Sequence, residues 1–554
     1  MATIITSDSK IPIEESFKVS AGPGAGKTHW LVNHIKQVLA KSKRLGAVKK
    51  IACITYTNVG TDTIYKRLQY NNDCVDVTTI HSFLYANVVK PYVHLIANTI
   101  GLQCDNISII DDSNYISIGI ATKLLSKAKK RWIEAECYCK GLHNSRWHYN
   151  NNQFTEYKPK RPHQAKKSIQ NYYIPNETYV LFKHDMWNQG LINYDDILYI
   201  SWLILNKYPN LYTLLRAKYP YIYVDEFQDT IPFVNDFLLC MGEQGTTIGV
   251  VGDKAQSIYG FIGATAKQFD DFKVPKMQEY EIRGNRRSTI QIIDFLNLIR
   301  TSFTQIYVNG ERGEKPVLIV GDKLDCYQKA IELCHTDNIK TLAFQNILAN
   351  SMRNHLESST FSNILEDDFD SNTERQCIIK SLIKAVEYAK LNDLRSAWHQ
   401  LDTINTDRTS SIIWLRRLLQ RYDEYRNKTL MDFYNFVSNV IGIHLPSFRE
   451  GQYKSFYLAH NYLDAAMGVK YVDANIKHKT IHKSKGEEFD NVFIILPEEK
   501  DLEFIIHPDL DNNETHRVYY VGCSRARKRL FINVPTLNEN NKNIIASLPI
   551  DILD

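Results

Sequence analysis

Ser20-Ala21-Gly22-Pro23-Gly24-Ala25-Gly26-Lys27-Thr28 decides how this chain is read. It keeps the Gly-Lys-Thr end of a phosphate-binding loop and carries Ala21 where such loops open on glycine. Small residues let successive backbone N–H groups curl around a polyphosphate, so Ala21, Gly22, Pro23, Gly24, Ala25, Gly26, Lys27 and Thr28 are all candidate nucleotide contacts. Lys27 is expected to reach the outer phosphates, and the Thr28 hydroxyl to hold Mg²⁺. Residues 17–20 read as a short buried strand. Residues 29–39 read as a helix whose N-terminal partial charge faces the anion. A plain glycine-rich turn between strand and helix has no need of the lysine and threonine.

Outward from the loop, short apolar runs alternate with helical patterns. Residues 51–55, 75–79, 221–224 and 247–251 read as further strands of a parallel α/β sheet. Polar groups just beyond such strands gather at the ligand-facing edge. Val224 runs directly into Asp225 and Glu226. Asp225 is expected to anchor Mg²⁺, and Glu226 to orient and deprotonate the attacking water. Beyond the next strand, Gln256 can sense a terminal phosphate while staying neutral. Tyr259 and Phe261 offer rings to a base or pack in a core, and their spacing leaves both readings open.

The 554 residues are too many for one core, and 44% hydrophobic with 23% charged residues describes an ordinary soluble protein. No apolar run approaches a membrane span and residues 1–16 lack a signal-peptide pattern, so a cytoplasmic address without a membrane partner is expected. Ten scattered cysteines read as reduced thiols. Cys137-x-Cys139 followed by His143 and His148 is a poor zinc spacing.

The net charge of +5 is regional, because residues 121–170 hold twelve basic side chains against three acidic ones. Trp132, Trp147, Tyr149, Phe154, Tyr157, Tyr172 and Tyr173 fall in or just after this stretch. That mixture suits a surface for single-stranded nucleic acid, where bases stack and phosphates are neutralised. A solvated basic face over partly buried aromatics has the same composition.

The ordered series is more specific. Ala21 to Thr28, Thr55-Tyr56-Thr57-Asn58, Thr79-Ile80-His81-Ser82-Phe83, Tyr194-Asp195-Asp196-Ile197, Val224 to Thr230 and Val251 to Ala264 resemble the first half of a UvrD/Rep-type superfamily-one DNA helicase. Asn285-Arg286-Arg287-Ser288 is similar to that family's motif with a γ-phosphate-sensing arginine. Thr480 to Phe489 resembles its fifth motif, and Tyr520 to Ala526 its sixth.

The resemblance implies an α/β protein of two RecA-like parallel-sheet motor domains, each with a mainly helical inserted subdomain. Residues 1–85 and 191–275 form the expected first motor around a basic insert at 86–190, read as helical until Lys140 and as loop beyond. Residues 276–345 and 471–554 form the expected second motor around a helical insert at 346–470. ATP with Mg²⁺ is implied between the motors. Arg287 and Arg525 would offset charge on the transferred phosphoryl group, with Arg286 and Glu488 as further nucleotide contacts. Tyr56, Asn58, His81, Phe83, Tyr259, Phe261 and His482 would contact single-stranded or partly duplex DNA, with 3′-to-5′ movement. Two positions depart from the family. Arg286 stands where an aromatic residue usually stacks on adenine, and residues 1–16 contain no glutamine. Arg286 is expected to stack on the purine through its planar guanidinium.

The compact length raises a second reading, an ATPase subunit of an anti-phage complex as in Gabija systems, where a UvrD-like protein accompanies a nuclease. A phosphate-loop kinase or small NTPase switch is disfavoured by the later motifs and both arginines.

Overall fold

Seven strands lie parallel in one sheet in the order Thr3–Ile5, Gln278–Ile282, Phe17–Ala21, Thr247–Gly252, Tyr221–Val224, Ile51–Thr55 and Val75–Thr79. A parallel sheet is covered on both faces, so its central strands are apolar at nearly every position instead of alternating. Tyr221 and Tyr223 pack with Phe17, Val19 and Trp30 on one face. Ile222 and Val224 pack with Ile54, Val250 and Phe227 on the other. Because all seven strands run the same way, the residues after Ala21, Thr55, Thr79, Val224, Gly252 and Ile282 come to one edge. The helix after the phosphate loop spans Lys27–Lys41, slightly longer than expected at both ends.

The computed structural model describes residues 2–68, 73–110, 115–116, 118–133, 135–143, 145–156, 174, 176–260, 263, 266–308, 310–356, 363–365, 369–370, 372–405, 407–471 and 476–554. The chain divides into two units. The first comprises Met1–Ile293, Asn297–Glu311 and Asp509–Arg517, and the second Asp294–Leu296, Arg312–Pro508 and Val518–Asp554.

Two features of the first unit differ from the sequence reading. Gln278–Ile282, expected in the second motor, pairs with Phe17–Ala21 and Thr3–Ile5 in the first sheet. The segment read as loop beyond Lys140 contains an antiparallel hairpin, Trp147–Asn150 with Gln153–Glu156. Its two-residue turn has φ of 49° at Asn151 and 59° at Asn152. Asparagine tolerates this left-handed geometry, which matches the twist of a tight hairpin.

The hairpin's aromatics point inward. Trp147 stacks on Tyr199 with ring centroids 4.0 Å apart and planes 5° apart. Tyr149 donates to Asp236 Oδ2 at 2.7 Å, and the backbone oxygen of Asn152 accepts from Trp202 Nε1 at 3.2 Å. Trp147, Tyr149 and Phe154 therefore buttress the helices Tyr194–Lys207 and Pro232–Glu243 and are not an open stacking surface. Trp132 is exposed, while Tyr157, Tyr172 and Tyr173 lie outside the described residues.

In the second unit, six parallel strands run in the order His478–Thr480, Lys340–Ala343, Phe489–Ile495, Ala526–Val534, Val317–Val320 and Asp551–Leu553. A separate helical core includes Ile379, Leu382, Leu415, Leu418, Phe433 and Tyr462. Within it, buried Glu387 accepts from Tyr422 at 3.0 Å, Tyr462 at 3.1 Å and Lys390 at 3.0 Å. The architecture is α/β with two RecA-like parallel sheets.

Candidate functional site

The phosphate loop leaves the sheet at Ala21 and enters its helix through Gly26, which caps the first turn at φ 79°. Gly24 also has positive φ, 69°, and a Cβ there would lie 2.4 Å from Asn285 Oδ1 and 2.7 Å from Arg287 Cβ. Only glycine satisfies both the backbone and the crowding. The contact fixes the arginine motif against the loop: Arg286 N–H donates to Gly24 O at 3.0 Å, and Asn285 Oδ1 accepts from Arg287 N–H at 2.8 Å. Arg287, expected to reach in from the second motor, instead lies beside the loop within the first unit. Lys27 is buried, its ammonium 3.5 Å from Ala21 O.

Thr28 Oγ1 donates to Asp225 Oδ2 at 2.9 Å, bringing a hydroxyl and a carboxylate oxygen together from loop and strand end. Such hard oxygen donors suit Mg²⁺. Burial raises the Asp225 carboxyl above its ordinary range and neighbouring Glu226 adds to this, while Lys27 and Thr28 pull the other way. A bound dication would favour the ionised form.

Glu226 follows in a left-handed conformation, φ 52° and ψ 43°. Non-glycine residues seldom adopt it, and such strain collects at functional sites. Gln228 Nε2 donates to Glu226 Oε2 at 2.6 Å, while Gln228 Oε1 accepts from Asp253 N–H at 2.9 Å. Asp253 in turn accepts from Gln256 Nε2 at 2.6 Å and pairs with Arg300 at 2.8 Å. Glu226 and Gln256 are thus linked through buried Gln228 and Asp253. The sequence reading assigned no role to Gln228 or Arg300; Gln228 lay inside a quoted motif, whereas nothing local marks Arg300.

A cavity of about 450 Å³ borders the same carboxylates and is lined by Tyr56, His81, Tyr194, Asp225 and Glu226. Hairpin residues Trp147, Tyr149 and Phe154 also line it. Tyr56 and Tyr259 lie with ring centroids 5.0 Å apart. Burial pulls His81 down to about 4, leaving a neutral ring edge-on to Tyr194 at 5.7 Å. Asn58 is exposed at the start of the helix Asn58–Arg67.

Phe83 needs correction. It is 1% exposed and packs on Tyr219 and Phe237, so it belongs to the core and presents no face to a strand. Phe83→Ala is expected to cost about 3–5 kcal/mol of stability, read by denaturant unfolding. Strand affinity of the folded protein, read by fluorescence anisotropy, is expected to stay unchanged. Phe261 lies outside the described residues.

Three candidates belong to the second unit. Arg525 is 2% exposed, donating to Val521 O at 3.1 Å and Glu487 O at 3.2 Å. Glu488 is 4.0 Å from Arg527, and His482 meets Phe344 with centroids 5.8 Å apart.

Residues 6–276 match the family described as UvrD/REP helicase N-terminal domain. Gabija protein GajB of Bacillus cereus (strain HuB5-5) is 22% identical over 93% of this chain and 92% of its own length. ATP-dependent DNA helicases PcrA of Staphylococcus epidermidis and Staphylococcus aureus are each 23% identical over 57% of this chain. The chain spans only 41% of the length of these PcrA relatives. Among the described residues, no helix is long and apolar enough to cross a membrane. Phosphate loop, paired carboxylates, arginine motif and family match agree: the chain resembles UvrD/Rep-type helicases, and residues 6–276 match the UvrD/REP helicase N-terminal domain.

Proposed function

We propose that the protein is an ATP-driven motor that moves on single-stranded or partly duplex DNA in the 3′-to-5′ direction. The observation that carries this is the convergence, at one sheet edge, of Lys27, Thr28, Asp225, Glu226 and Arg287. Residues 21–28 cradle the phosphates, and Thr28 with Asp225 hold Mg²⁺, which when bound offsets phosphate charge. Glu226 takes the proton of the attacking water. Arg287 and Arg525 offset charge on the transferred group, and Gln256 registers the terminal phosphate. Arg286 and Glu488 complete the nucleotide contacts. Tyr56, Asn58, His81, Tyr259 and His482 grip the strand.

We take residues 86–190 and 346–470 as accessory subdomains inserted in the two motors, and the cytoplasm as the place of action. The full-chain protein is expected to hydrolyse ATP several-fold faster with single-stranded DNA, and Lys27→Ala to abolish hydrolysis in a phosphate-release assay. Hydrolysis indifferent to DNA would overturn the motor reading. A labelled duplex with a 3′ overhang separates unwinding from translocation.

A second reading is favoured by the similarity to Gabija protein GajB, which runs nearly end to end on both chains. In it, the protein is the DNA-responsive ATPase of an anti-phage complex and acts with a nuclease partner, unwinding little alone. Weak unwinding alone that rises with the nuclease present supports this reading.

A further inference from the structure

Behind the candidate nucleotide contacts, residues 297–305 touch three separate motifs. A Cβ on Gly22 of the phosphate loop would lie 3.2 Å from Phe303 Cε1 and 3.3 Å from Gln305 Cγ. Asn285 of the arginine motif donates from Nδ2 to Gln305 Oε1 at 2.9 Å. Asn297 and Gln305 close the segment on itself, Asn297 Nδ2 donating to Gln305 O at 3.0 Å and Gln305 N–H to Asn297 Oδ1 at 2.8 Å. Between them, Arg300 lays its guanidinium 4.3 Å from the centroid of the Phe303 ring and extends Nη2 to Asp253 Oδ1 at 2.8 Å.

Asp253 divides its two oxygens. Oδ1 accepts from Arg300 and, at 3.2 Å, from Ala255 N–H, while Oδ2 accepts from Gln256 Nε2 at 2.6 Å. Holding Oδ1 fixes the plane of the carboxylate and hence the direction of Oδ2. A carboxylate accepts hydrogen bonds and donates none, so it takes the nitrogen end of the Gln256 amide, and the amide is not presented reversed. All three side chains are buried, Arg300 at 4%, Asp253 at 1% and Gln256 at 3% exposure. Lys254 is committed elsewhere, its ammonium pairing with Asp270 and Asp511 at 3.1 Å each.

We infer that Arg300 is a positioning residue for ATP hydrolysis. Through Asp253 it holds the Gln256 amide in the one orientation that meets the terminal phosphate, and through residues 303–305 it keys that orientation to the phosphate loop and the arginine motif. This rests on Gln256 being the group that registers the terminal phosphate. Arg300 itself touches no nucleotide. Apolar residues fill a buried space about as stably as an ion pair does, so what the charges supply here is direction. Without the guanidinium, Asp253 is a buried charge lacking its cation; it turns or takes a proton, and Gln256 loses its fixed acceptor. Nucleotide affinity, set by the loop and Lys27, stays; the rate of bond cleavage falls.

The test is a double-mutant cycle on the full chain: wild type, Arg300→Met, Gln256→Ala and the two combined, each checked for folding by thermal melting. Single-turnover ATP hydrolysis with Mg²⁺ and single-stranded DNA is measured beside binding of a fluorescent ATP analogue. Arg300→Met and Gln256→Ala are each expected to slow hydrolysis about 10- to 100-fold, the effect of losing a hydrogen bond to a charged group. Because both act on one amide, the combined variant is expected within about threefold of the slower single variant, with nucleotide Kd within about threefold of wild type throughout. A merely structural role would make the two losses multiply. Multiplied losses, a Kd weakened as much as the rate, or an Arg300→Met rate within about threefold of wild type overturns the inference. If Arg300→Met does not fold, Arg300→Lys carries the same cycle: its ammonium lacks the guanidinium's fork, so a drop of about 3- to 10-fold is expected, vanishing in the Gln256→Ala background. A drop that persists there, or none at all, overturns the inference. Absence of any Lys27-dependent hydrolysis, or a Gln256→Ala rate equal to wild type, instead overturns the reading of the nucleotide site beneath it.

Discussion

Glu226→Gln is expected to slow strand-stimulated ATP turnover by about 10²- to 10⁴-fold, the range for removing a general base, while nucleotide affinity stays near the wild-type value. The amide is the same shape as the carboxylate and still accepts from Gln228, which bonds Glu226 Oε2 at 2.6 Å. The left-handed backbone at φ 52° is set by the strand end and by the donation of Glu226 N–H to Asp225 Oδ1 at 3.0 Å. Neither depends on the charge. What the substitution removes is the capacity to take a proton from water. Single-turnover hydrolysis beside binding of a fluorescent nucleotide separates the two effects. Turnover within tenfold of wild type would assign that proton to another acceptor.

Asp196→Ala is expected to destabilise the first unit by about 3–5 kcal/mol, the usual cost of removing one partner of a buried ion pair. Lys183 and Asp196 are both 0% exposed, with Nζ 3.2 Å from Oδ1. The same carboxylate accepts from Trp147 Nε1 at 2.7 Å and from Asn193 N–H at 3.0 Å. Losing it leaves the ammonium buried without its carboxylate and frees both the hairpin and the helix cap. Two apolar residues fit such a site better than one unmatched charge. Lys183→Met with Asp196→Leu is therefore expected to recover most of the loss in denaturant unfolding of the first unit. A double variant as unstable as the single one would mean that the Trp147 and Asn193 contacts dominate.

The central strands and the phosphate loop were legible because their function and burial are written locally. Ile51–Thr55 and Tyr221–Val224 are buried at every position and apolar at all but Thr55, as double-sided burial requires. Gln278–Ile282 is Gln-Glu-Tyr-Glu-Ile, too polar to be read as part of the same sheet. The hairpin at 147–156 was hidden by its asparagines, although two consecutive residues tolerant of positive φ are what its turn demands. Phe83 and Tyr56 both follow strands in similar surroundings, and which ring faces inward is settled by tertiary packing. Arg300 carries no local signal, since its partner Asp253 is distant in the chain.

The strand Tyr221–Val224 inserts between Ile51–Thr55 and Thr247–Gly252. During synthesis, Ile51–Thr55 therefore leaves the ribosome long before the neighbour that covers its inner edge. Pairings this far apart in sequence form slowly, and unpaired apolar strands are prone to aggregate meanwhile. Nascent molecules are expected to need chaperone protection until about residue 252 has emerged, which makes translation speed across the first insert a determinant of yield.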